Sequence, residues 1–195
     1  MVLIAMLGLS LYTWLQPHRM GYWPALLLLT YFAAVIVIDV EHRLILRPVS
    51  IAGGALGIAI GLWLHGVIPT LLGGLAGFVL MFALYHVGVL FSRLRSRRLQ
   101  AAGLQTDNEE ALGWGDVVLA AVLGLLLGWP LIWFGLLLGV LIGGAIGLVL
   151  VLASVLRGRY GRQALMLFMP YGPAFVVSAF CILFVPNWIA GLLPK

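Results

Sequence analysis

Apolar runs joined by short polar connections fill almost the whole chain: about Met1–Leu15, Trp23–Ile38, Val49–Val67, Leu71–Phe91, Asp116–Trp129, Leu131–Leu156 and Tyr171–Leu193. A spanning helix needs roughly 17–25 apolar residues, and water offers no solvent in which so many such runs stay exposed. Hydrophobic residues make up 64% of the 195 and charged residues 9%, so lipid is the solvent. The pattern predicts an all-α polytopic transmembrane bundle of about seven segments. It forms one membrane-embedded domain over residues 1–195, with a loop over 92–112 inside it. The first and fifth segments are short, and each is read as a tilted or partly re-entrant span or, for the fifth, as a helix that begins in the preceding GWG loop. The N-terminal run lacks a basic residue ahead of it and a small-residue cleavage site, so it is read as a retained segment.

Charge sets an orientation. Nine of the eleven basic residues fall after the second, fourth and sixth segments: Arg43 and Arg47, then Arg93, Arg95, Arg97 and Arg98, then Arg157, Arg159 and Arg162. Cytoplasmic loops collect Lys and Arg, which puts the N-terminus inside and the C-terminus outside. All six acidic residues, Asp39, Glu41, Asp107, Glu109, Glu110 and Asp116, fall on the same inner side. Basic clusters between spans are what this topology requires, so the net charge of +5 is no sign of a nucleic-acid partner. Glycines at fourfold spacing, Gly53, Gly57 and Gly61 and again Gly139, Gly143 and Gly147, predict close helix packing. Trp23, Trp63, Trp129 and Trp188 read as interfacial anchors.

Two acids stand apart from the solvated ones. Asp39 ends the run ALLLLTYFAAVIVID, and Asp116 opens the fifth segment behind Gly113, Trp114 and Gly115. An ionised group at the hydrocarbon edge costs several kcal/mol unless it is paired or hydrated. Taken singly, Asp39 is also compatible with a helix-end charge reaching the headgroups, and Asp116 with an N-cap. By topology, however, both belong to one layer of the bundle. Two carboxyl groups in a poorly hydrated site hold one proton between them over a wide pH range. That state suits peptide hydrolysis: the ionised member takes a proton from the attacking water while its partner hydrogen-bonds to the carbonyl oxygen. Such a pair requires no metal or cofactor. A small transporter or channel using the acids for cations or protons is the alternative, although transporters place such groups nearer the midplane. Ser10, Ser50, Ser92, Ser96, Ser154 and Ser178 carry no nucleophile motif, and His18, His42, His65 and His86 have no ligand spacing.

Three stretches resemble the type IV prepilin peptidases and archaeal preflagellin peptidases, membrane aspartyl proteases marked by a GxGD motif. VIVIDVEHRLI resembles the segment with the first catalytic aspartate, EALGWGDVVLAAVLGLLLGW the GxGD segment with the second, and MPYGPAF an IPFGP-like segment at the start of the last helix. The resemblance implies that Asp39 and Asp116 are catalytic, that Gly113 and Gly115 are the motif glycines, and that Pro170, Gly172 and Pro173 shape the bundle beside them. A simple break before the final helix explains those last three equally well. The family implies prepilin-like protein substrates, cleaved at the cytoplasmic face beside the start of an apolar helix, often after a glycine. Two departures bear on substrate preference. Leu46, Arg47 and Pro48 stand where the family often has Pro followed by Asp or Asn, and Val118 stands where a lysine is common. Bacterial members often add a methylating domain with paired CxxC motifs; with Cys181 as the single cysteine, methylation is not expected here.

Overall fold

The computed structural model of the chain describes residues 20–42, 47–101, 113–156 and 171–184. These form six helices with no strand among the described residues: α1 (Tyr22–His42), α2 (Arg47–His65), α3 (Val67–Ala101), α4 (Trp114–Leu127), α5 (Leu131–Leu156) and α6 (Gly172–Phe184). The all-helical expectation holds, and the six described helices correspond to six of the seven expected segments, while the other, Met1–Leu15, lies outside the described residues. Four helices are long and apolar enough to cross a membrane: Tyr22–Glu41, Arg47–His65, Val67–Leu94 and Leu131–Ala153. Their outward faces carry exposed large apolar side chains, among them Leu75, Val79, Leu137 and Leu148, which is the surface hydrocarbon covers.

The two shorter apolar helices lie inside. α4 has 14 residues, with Val117, Leu119, Ala120, Val122, Leu123, Gly124, Leu126 and Leu127 all buried; a helix apolar all round is a core helix. At 1.5 Å per residue it is about 21 Å long, short of the roughly 30 Å hydrocarbon thickness. α6, with 13 residues, is similarly buried.

Glycine lets the neighbours close on α4. A Cβ on Gly61 would overlap the Leu125 carbonyl oxygen, and one on Gly57 would come within 3.0 Å of Leu125 Cβ. From the other side, Gly73 and Gly77 of α3 lie directly against the Gly124 and Ala120 carbonyls. The expected packing role of the α2 glycines therefore holds, whereas the Gly73/Gly77 stripe escaped the sequence reading although its fourfold spacing is the same. Gly139 and Gly143 of α5 receive Phe175 and Tyr171, and Gly53 receives the Tyr31 hydroxyl.

α2 turns into α3 through Gly66 alone, at φ +79°, a left-handed conformation that glycine adopts at no steric cost. α3 then runs on to Ala101, so residues 92–101, read above as the start of a loop, continue the helix. Trp129, at the far end of α4, donates its amide to the Pro69 carbonyl at 2.8 Å, which ties that end to the start of α3. Trp23, Trp63 and Trp129 are exposed near helix ends, as interfacial anchors are; Trp188 lies outside the described residues.

Candidate active site

Asp39 sits in the last turn of α1, only 5% exposed. The buried polar side chains among the described residues are Asp39, Thr70 and Ser178, and the other two are satisfied. Thr70 Oγ1 donates to the Gly66 carbonyl at 2.7 Å, and Ser178 Oγ lies 2.8 Å from the carbonyls of Gly135 and Phe175. Asp39 Oδ2 has no hydrogen-bond partner among the described residues, though the Gly172 backbone amide acts on its carboxyl. Buried polar groups are rarely left so, and an exception points to a role beyond folding.

Asp116 occupies the third position of α4, half-buried. Gly113 is the N-cap residue, with φ −83° and ψ 149°. Its amide donates to Asp116 Oδ2 at 3.3 Å, while the Asp116 amide donates to the Gly113 carbonyl at 3.1 Å. Asp116 is therefore not the N-cap, as left open above, but the third helical residue, whose side chain serves the helix end by the reach-back half of a capping box. It also lies close enough to Asp39 for the two carboxyls to act on each other electrostatically. The end of α1 and the start of α4, remote in sequence, therefore lie at the same end of the bundle, and both helices pack on α6.

The turn before α4 is clasped by aromatic rings. Trp114, the first residue of α4, stands edge-on to Phe78, Phe82 and Tyr85 of α3, with centroids 6.5, 6.0 and 5.9 Å away. Edge-to-face pairs at such distances are each worth roughly 0.5–1.5 kcal/mol beyond burial. The sequence reading gave Trp114 no part in the site, although the spacing of 78, 82 and 85 marks one helix face.

Gly172 opens α6 and is buried against Asp39. Pro173, half-buried at the next position, sits in a first turn, where a missing N–H leaves no helix bond unmade. Pro170 lies outside the described residues. Gly172 thus lies directly against Asp39, while Asp116 lies within electrostatic range of Asp39, with Gly113 and Gly115 in the turn that carries Asp116. Arg47 and Pro48 are exposed at the start of α2 and Val118 is half-buried in α4; Leu46 is outside the described range. Among the described residues no three His, Cys, Asp or Glu side chains converge as metal ligands.

Asp39 is thus almost inaccessible and Asp116 is held at a helix N-terminus, with the two carboxyls near enough to interact electrostatically. No curated protein and no solved structure matches the chain. A model of the type IV leader peptidase family matches residues 26–148, a stretch that contains both aspartates and ends before α6.

Proposed function

Because the chain belongs to the type IV leader peptidase family, we propose that it is an aspartic endopeptidase that removes leader peptides from prepilin-like substrates at the cytoplasmic membrane face, with Asp39 and Asp116 as the catalytic pair. The supporting observation is that these two carboxyls lie within electrostatic range at one end of the bundle, with an oxygen of the nearly inaccessible Asp39 left unpartnered.

The pair holds one proton. The ionised carboxylate takes a proton from water as its oxygen bonds to the scissile carbonyl carbon, and the protonated carboxyl hydrogen-bonds to the carbonyl oxygen. Collapse of the tetrahedral intermediate breaks the C–N bond, and the proton gained from water passes to the leaving amine. A substrate whose apolar helix stays in lipid presents its leader at this edge without leaving the bilayer. A cation pathway, the other expectation, calls for acids nearer mid-helix, whereas Asp39 and Asp116 occupy helix ends.

Co-expression with a prepilin-like substrate, followed by its size on a gel, tests the reading. Wild-type protein converts the substrate, and Asp39→Asn and Asp116→Asn each reduce conversion by about 100-fold or more, as loss of a general acid or base does. Undiminished processing by either inserted variant overturns the paired mechanism.

A further inference from the structure

Gly172 is a glycine without a conformational reason. Its φ lies outside the left-handed region, so the backbone there admits any L residue. What excludes a side chain is space: a Cβ on Gly172 would overlap Asp39 Oδ2 and stand 2.9 Å from Cγ, though only 3.5 Å from Asp39 Cβ. The conflict is with the carboxyl group alone.

α6 is fastened where it would have to yield. Ser178 Oγ bonds to the Gly135 carbonyl of α5 at 2.8 Å. Phe175 fills the space over Gly139, and a Cβ on Gly143 would come within 3.2 Å of the Tyr171 ring. With α6 keyed into α5 at three levels, a bulkier residue at 172 moves the Asp39 side chain rather than the helix. The N-terminus of α6 also supplies partial positive charge, and the carboxyl that meets it is 5% exposed with Oδ2 unpartnered.

We propose that Gly172 is a positioning residue for Asp39: its bare Cα lets the first turn of α6 seat against the carboxyl and fixes the direction in which that group points. The consequence for turnover rests on the peptidase reading above, whereas the steric coupling does not. Gly172 also lies beyond the residues that match the family, so the pair is completed by a helix outside that match.

A double-mutant cycle separates the two. In detergent, Gly172→Ala lowers the thermal midpoint by roughly 2–10 °C, the range set by overpacking in a chain of this size. In an Asp39→Ala background, where only the 3.5 Å Cβ contact remains, the same change shifts the midpoint by less than about 1 °C. If Gly172→Ala alone does not fold, folding of the double variant is the supporting result and its failure to fold the opposing one. Equal shifts in both backgrounds overturn the proposal. With a prepilin-like substrate, Gly172→Ala lowers kcat by about 10-fold or more while KM stays within about twofold, the mark of a displaced reacting group rather than lost binding. Gly139→Ala, which crowds Phe175 instead, lowers the midpoint without that split. Unchanged kcat in a Gly172→Ala protein that cleaves substrate also overturns the proposal. If the wild-type protein cleaves nothing, the peptidase reading fails while the stability cycle still decides the steric one.

Discussion

Asp116 Oδ2 accepts the Gly113 amide at 3.3 Å, so replacing this residue removes a helix-end partner as well as a carboxyl. Asparagine keeps an acceptor oxygen and alanine does not. Asp116→Ala is therefore expected to destabilise the protein by about 0.5–2 kcal/mol, the usual range for a lost cap, and Asp116→Asn by less, with both inactive. Denaturation in detergent checks the difference; equal stability of the two variants would show that the cap contributes nothing. Asp39 differs in that its Oδ2 lacks a partner and the residue is almost inaccessible, although the Gly172 backbone amide acts on its carboxyl. Both acids were legible from their places at the ends of apolar runs. That Gly172 shapes the bundle near them was implied by the resemblance, but its fit directly against Asp39 was not legible, since a glycine before a proline reads equally as a helix break.

At the scale of elements, α4 is the helix on which the site depends, and the glycines of α2 and α3 hold it. Gly77 lies against the Ala120 carbonyl, one turn beyond Asp116, whereas Gly54 has open space where a Cβ would go. Gly77→Val is expected to cost about 1–3 kcal/mol by overpacking and to lower turnover, because α4 carries Asp116 with it. Gly54→Ala leaves both nearly unchanged. Measured melting and cleavage rates check the contrast, and a tolerated Gly77→Val would mean that α3 and α4 slide apart without harm to the pair. The stripes at Gly53–Gly61 and Gly139–Gly143 were readable as contacts because small residues recur on one helix face. Which helix would fill each face was not readable, because every apolar segment offers leucine and valine alike.

Across the whole molecule, the ends of the helices agree with the order that the charges suggest. Trp114 meets α3 at Tyr85, and α3 continues to Ala101, a further 16 residues or about 24 Å at 1.5 Å each. The arginines at 93, 95, 97 and 98 are thus carried along the helix beyond the level of the two acids. If this end faces the cytoplasm, as the basic bias implies, a cysteine replacing exposed Arg93 in a Cys181→Ala protein should react with a membrane-impermeant thiol reagent in inverted vesicles but not in intact cells. Labelling in intact cells would reverse the orientation and place the proposed site on the outer face. Sequence by itself determined that lipid is the solvent, that the chain is helical, and that two acids stand at the edges of apolar runs. These follow from the order of residues along one strand of chain, because hydropathy and charge are local properties. Only the tertiary structure decided that α4 lies at the centre, that α3 outlasts its apolar run, and that Asp39 lies against Gly172. Such contacts depend on how closely separate backbones approach, and no single helix carries that distance in its own residues.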